Sequence, residues 1–488
     1  MYGNERPYRP VRIVPLLIGL AGAIGVGFLL TLEVKSWGAL GEAGGSCETY
    51  SGPCPLGTTW MISVGFFSLL VVVPITLVWI GRSGTRAVGW VVALACVVGG
   101  VFPGLSVFNW AHGASLRTLW ASPPDRPTGV ETLGSWQSGS LVMRARFDEV
   151  SAYDVATGNK AWTHTIPSPE VLCAMSRTVE GGIGLIGHAA ENQPCTHITA
   201  VDLASGRGLW DKVLPGAELS PSVYADVIAV SRETAVLQTE KSLQGFTLRE
   251  GVQRWQQKSA DMCHFDKVIA GGDQVVVESI CVDHSPTIRA IDAATGKTRW
   301  ERPAASGNGS ANIGLLSAAP AVVYVQEVSQ RGTDTVTIFD ASGRASEPIQ
   351  VDDGRRQLYT DTLRFTAAPI YRFFVQDGLL ITQALADGQN LVVAYGLADA
   401  RERWSTRVAG VQAMQVEAGQ VIYLDDSAMS PSLRSVSLRD GKETYLGVTS
   451  FSWVTDDLAL YLTGGRYAFV AKSASASYQH PLAVVKAN

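Results

Sequence analysis

Three stretches of this chain carry one phrase, Ala-x-Asp-x-x-(Thr/Ser)-Gly-x-x-x-Trp, almost unchanged. They are AYDVATGNKAW ending at Trp162, AVDLASGRGLW ending at Trp210 and AIDAATGKTRW ending at Trp300. Eroded copies keep the frame in GFTLREGVQRW to Trp255, AYGLADARERW to Trp404, SVSLRDGKETY to Tyr445 and AFVAKSASASY to Tyr478. IFDASGRA around Asp340 keeps the Asp and the Gly without the Trp. Phased on the Asp, the copies fall at positions 154, 202, 247, 292, 340, 396, 437 and 470. An interval of roughly 33 to 56 residues is the scale of a propeller blade, a unit that buries its faces only by stacking on its neighbours.

Each copy reads as strand, tight turn, strand. The Gly four places after the Asp supplies the positive φ of the turn, and the Asp and Thr hydrogen-bond its backbone amides. A Trp that recurs at one place in the unit is a flat side chain packed between blades. Two further β-rich runs precede each copy, for example 274–279 and 321–327, giving four strands per unit, and no helical period follows residue 115 or so. The expected fold is all-β over about residues 115–480: a β-propeller of about eight blades, with seven as the alternative because the last unit is short. Residues 116–120 are expected to add an outer strand to the final blade and close the ring.

The copies at Asp154, Asp202 and Asp292 resemble the repeat of the pyrroloquinoline-quinone (PQQ) type β-propellers, in which the Trp docks one blade on the next. The resemblance implies a blade-docking role for Trp162, Trp210, Trp255, Trp300 and Trp404. That family holds quinoprotein dehydrogenases and also cofactor-free members, among them scaffold lipoproteins of outer-membrane protein assembly. The present chain looks more like the cofactor-free members.

Ahead of the propeller lie three apolar runs, 13–32, 60–80 and 87–110, each free of Asp, Glu, Lys and Arg. About 20 residues suffice to cross a bilayer core of roughly 30 Å. Trp60, Trp79 and Trp110 stand at the run ends, where interfacial aromatics belong. Arg6, Arg9 and Arg12 precede the first run, and Arg82 and Arg86 flank the short link between the second and third. The loop 33–59 carries Glu33, Glu42 and Glu48 against Lys35. The bias of basic residues places residues 1–12 in the cytoplasm, the loop 33–59 outside, and the propeller outside after an odd number of spans. The expected location is a multi-pass cell membrane anchor over residues 13–110 with an extracytoplasmic propeller.

Of seven cysteines, Cys96 lies in the third run and six fall in local pairs on the outer side: Cys47 with Cys54, Cys173 with Cys195, Cys263 with Cys281. Cys173 and Cys263 each precede the motif Asp of their repeat by 29 residues. Equal phase in two repeats points to a blade-stapling disulfide, which belongs to an oxidising compartment.

The formal charge is −5, from 39 basic and 44 acidic residues. A mildly acidic propeller, with no basic run interleaved with aromatics, argues against a nucleic-acid partner. A quinoprotein dehydrogenase needs a carboxylate base and a calcium ion held by oxygen ligands beside the quinone. Many soluble members also have a disulfide between adjacent cysteines, and no Cys-Cys dipeptide occurs here. The acidic pairs Asp352–Asp353, Asp425–Asp426 and Asp456–Asp457 read as solvated turns. Cys195-x-His197, Cys263-His264 and Cys281-x-x-His284 put thiols near imidazoles, as zinc sites do, but disulfides account better for those cysteines. His164 and His188 read as strand residues, and neither a nucleophile elbow nor a phosphate loop is present. The sequence therefore predicts no catalytic, cofactor or metal site. It predicts a binding or scaffold module for a protein, peptide or cell-envelope component, with the lipid bilayer and an extracytoplasmic protein as partners. The alternative is a membrane-bound PQQ-dependent dehydrogenase.

Overall fold

The computed structural model describes residues 13–42, 58–83, 87–112, 115–125, 130–191, 193, 195–214, 227–282, 286–304, 311–327, 332–360, 372–408, 410–425, 431–449, 458–472 and 480–487. Three apolar helices come first: α1 (Ile13–Glu42), α2 (Thr58–Arg82) and α3 (Ala87–His112). Each is long and apolar enough to cross a membrane, over Ile13–Gly38, Trp60–Arg82 and Val88–Phe108. Their outward faces carry Leu17, Phe66, Phe67, Leu70, Val91, Leu94 and Phe102, all exposed, a surface that lipid covers and water does not. Together these features associate the chain with a membrane.

Small residues hold the helices together. A Cβ on Gly27 of α1 would stand 1.9 Å from the Val97 carbonyl of α3, and one on Gly100 would stand 2.1 Å from the Ile24 carbonyl. The two backbones touch, as membrane helices do when small residues line their contact. The run of apolar letters places the end of the first span before Glu33, but α1 continues beyond it, and Glu33 is buried against Gly65 of α2.

The strands that follow form eight four-stranded blades, over residues 134–165, 170–213, 228–258, 263–303, 311–350, 356–408, 413–449 and 458–487. In the sixth blade two pieces, Arg356–Leu358 and Phe373–Gln376, both pair with Leu379–Ala386. The eighth blade has three strands of its own, and Ser115–Ala121 completes it by pairing antiparallel with Leu482–Ala487. Ser115 and Leu116 also pair in parallel with Val448 and Thr449 of blade 7. Residues 116–120 thus close the ring as expected.

The repeat phrase maps onto one recurring joint. The Asp ends the third strand of its blade, and its carboxylate accepts from the turn: Asp154 from Thr157 N and Oγ1, each at 2.9 Å, Asp202 from Ser205, and Asp292 from Thr295. Gly158, Gly206, Gly251, Gly296, Gly343 and Gly441 all have φ between 66° and 76°. Each lies under the ring of the preceding blade's Trp, where a Cβ would fall 2.5 to 3.1 Å from it. The indole N–H then donates to the backbone carbonyl of the residue after the Asp position, which holds Thr247 and Ser437 in two copies: Trp162 to Leu203, Trp210 to Leu248, Trp255 to Ala293 and Trp404 to Leu438, at 2.8 to 3.0 Å. Trp300 instead stacks on Phe339 with ring centroids 5.2 Å apart. Asp, Gly and Trp are therefore one device read across two blades.

The eighth copy differs from its expected place. Residues 466–471 form the second strand of blade 8, not the end of its third, and Tyr478 lies outside the described residues. The docking indole of that blade is Trp120, which donates to the Val155 carbonyl at 3.0 Å and lies over Gly158.

Cys173–Cys195 and Cys263–Cys281 are bonded as paired from the sequence. Cys263 and Cys281 are opposed at one end of a two-strand ladder, whereas Cys195 lies in the connection after Ile183–Ala190. Cys47 and Cys54 lie outside the described residues.

The turn carboxylates predict acid behaviour. The hydrogen bonds of Arg299 and Thr295 hold Asp292 down at about 2, those of Ser342 and Arg344 hold Asp340 at about 2, and Asp154 and Asp202 are also lowered by their Thr157 and Ser205 partners. A folded value below the ordinary 3.8 means that this stabilisation is complete above about pH 4 and is lost as the pH falls towards 2. The urea midpoint is expected to fall steeply over that window, and less steeply in Asp292→Asn. An equal slope in the variant would remove this carboxylate from the acid transition.

Candidate functional site on the propeller axis

First strands of the blades surround the axis and leave two adjoining cavities. The larger, about 380 Å³, is walled by Leu133, Met175, Leu316, Phe373, Met414 and Leu460, with Ser135, Tyr461 and Gln415 as polar groups and Arg177 and Lys472 as charges. The smaller, about 300 Å³, lies among blades 2 to 6 and shares Arg177, Thr178, Leu316 and Val375 with the first. Arg177 follows the first strand of blade 2 and donates to the Leu315 carbonyl of blade 5 at 2.7 Å, spanning the axis. Tyr461 donates to the Ser135 carbonyl of blade 1 at 2.8 Å, and burial pushes its hydroxyl up to about 12, so it stays protonated.

Calcium and a carboxylate base do not fit these walls. Among the described residues lining either cavity there is no Asp or Glu, and the charged groups that reach them are cations. Hard cations need oxygen ligands, preferably anionic, so these walls offer neither the calcium seat nor the base that quinone-dependent dehydrogenation requires.

Of the acidic pairs, the described members occupy a turn or an ion pair. Asp352 and Asp353 cap the amides of Gly354, Arg355 and Arg356. Asp425 is buried against Arg434 at 3.1 Å. Asp426, Asp456, Asp457 and His284 lie outside the described residues. His164 binds the Gly206 carbonyl at 2.9 Å in the joint between blades 1 and 2. His188 and His197, in the sequence a strand residue and a neighbour of Cys195, are brought together with Glu170. Arg177 and Glu170 carry no local sequence signal: each acquires its role from strands that only the ring brings near.

No protein of curated function matches the chain. Among solved structures it is similar to the quinohemoprotein alcohol dehydrogenase ADHIIG from Pseudomonas putida HK5, at 12% identity over 76% of this chain and 75% of that one, with a TM-score of 0.44. It is also similar to a europium-containing methanol dehydrogenase, at 11% identity over 73% and 84%, with a TM-score of 0.39. A third likeness is to the WD40 domain of SCAP from fission yeast, at 8% identity over 77% and 98%, with a TM-score of 0.45. Residues 111–262 and 149–378 match, in two overlapping stretches, the family described as outer membrane protein assembly factor BamB. With more than half of the chain so matched and the docking joints in place, the chain belongs to this PQQ-like propeller family.

Proposed function

We propose that this chain is a membrane-anchored binding module whose propeller stands on the extracytoplasmic side and holds a protein, peptide or cell-envelope component, without a reaction of its own. The observation that carries the reading is the axial chamber, apolar and reached by Arg177 and Lys472 but by no carboxylate among its described walls. Two disulfides and the arginines flanking the spans support the side of the membrane. A photo-crosslinker at Gln415, which lines the chamber, is expected to capture one reproducible envelope partner in intact cells. Protease added to spheroplasts should digest the propeller. Protection of the propeller, or dye reduction by purified protein given PQQ, calcium and alcohols or sugars, overturns the proposal.

A further inference from the structure

One end of blade 2 brings two imidazoles and a carboxylate onto one face. Glu170 opens the strand Glu170–Met175, His188 lies near the end of Ile183–Ala190, and His197 begins His197–Asp202. His188 and His197 are direct cross-strand partners, and His188 also opposes Leu172, which puts Glu170 on its diagonal. Direct and diagonal neighbours share a face. Glu170 Oε1 is 2.8 Å from His197 Nδ1, and Oε2 meets His188 Nδ1. The two rings meet edge to face, 5.3 Å between centroids, and the three ligand atoms lie within 4.8 Å of one another.

The far nitrogen of His188 sets its tautomer. Thr199 Oγ1 gives its only proton to Asp211, so towards His188 Nε2, 3.2 Å away, it accepts. Nε2 then carries the proton, and the neutral ring presents its Nδ1 lone pair to a carboxylate that is itself only an acceptor. Two acceptors in contact need a shared proton or a metal cation between them. An imidazole oriented from behind by a hydroxyl and a carboxylate is also how proteins aim metal ligands. The disulfide adds rigidity, since Cys173 lies three residues after Glu170 and Cys195 two before His197. His188 is buried, while the His197 side chain is 37% exposed and gives an ion a way in.

We propose that Glu170, His188 and His197 bind one divalent transition-metal ion, zinc by the donor set, with a further coordination position open to solvent. Two imidazoles and one carboxylate suit zinc rather than calcium or magnesium. Bound there, the ion would join three successive strands of the blade at the end that Cys173–Cys195 already ties.

The test uses the full chain in detergent, oxidised, without a polyhistidine tag, stripped with EDTA and titrated with Co²⁺ and Zn²⁺. One Co²⁺ per chain is expected, with visible d–d bands and no sulfur charge-transfer band, displaced by Zn²⁺, together with a Tm raised by Zn²⁺. His197→Ala and Glu170→Gln should each weaken Zn²⁺ binding at least about 100-fold, and Thr199→Val, which frees His188 Nε2, about 10- to 100-fold. Unchanged circular dichroism controls for folding, and the exposed His197 makes a variant at buried His188 unnecessary. A folded wild type that takes up no Co²⁺, or a His197→Ala protein that binds as wild type does, overturns the proposal.

Discussion

Trp255→Ala is expected to lower the stability of the propeller by about 3–5 kcal/mol, read from the urea midpoint of the full chain in detergent. Trp255 is buried between blades 3 and 4 in a cluster with Val236, Leu243, Phe265, Val275 and Ile291. Its loss leaves a void among stiff β-branched neighbours and strands the Ala293 carbonyl that its N–H now satisfies at 2.9 Å. Trp255→Phe separates the two effects. It keeps most of the packing and should cost about 1–3 kcal/mol for the orphaned carbonyl. Trp300→Phe provides the internal control, because the Trp300 N–H has no acceptor among the described atoms and its ring rests on Phe339. A smaller cost at 300 than at 255 is expected. Gly296→Ala tests the other half of the joint, since φ is 69° there and a Cβ would meet the Trp255 ring at 2.6 Å. In the Trp255→Ala background the clash vanishes and only the backbone strain remains, so the two substitutions should cost less together than the sum of each alone. Additive costs would mean that the glycine and the indole do not meet.

That joint was legible because most of it is local. The Asp, the Thr or Ser and the Gly make one turn within five residues, and the Trp follows four residues later, so the same chemistry leaves the same letters in each blade. The acceptor carbonyl was not legible, since any residue supplies a carbonyl. Ala400 shows the limit of the letters: it takes the left-handed conformation, φ 54°, where other copies have Gly. Trp120 escaped for another reason. Its strand completes a blade whose other strands lie more than 330 residues away, and no Asp-Gly turn precedes it. The blade 2 cluster was half visible as Cys195-x-His197, but Glu170 and His188 join it through strand register, which single-sequence spacing does not encode. Arg177 likewise finds the Leu315 carbonyl only once the ring has closed.

Breaking the seam of the ring is expected to cost as much as removing an indole. Asp125 lies in the link between the closing strand Ser115–Ala121 and the first strand of blade 1, and it grips Arg144 of blade 1 with both oxygens, at 2.9 and 2.7 Å. Both side chains are 6% exposed. Arg144 Nε also donates to Thr132 Oγ1 at 2.7 Å, and Thr132 in turn donates to the Ala471 carbonyl of blade 8 at 2.7 Å. One guanidinium thereby ties the closing link, blade 1 and blade 8. Arg144→Ala leaves a buried carboxylate with Arg146, at 3.3 Å, as its remaining cation, and should cost about 3–5 kcal/mol. Arg144→Lys keeps the charge but loses the planar fork, and should recover only part of that loss. The double variant Asp125→Ala with Arg144→Ala should be less damaged than the two single costs added together, because it buries no unpaired charge. If Arg144→Ala unfolds at the wild-type midpoint, the ring is held shut by strand pairing and indole docking alone.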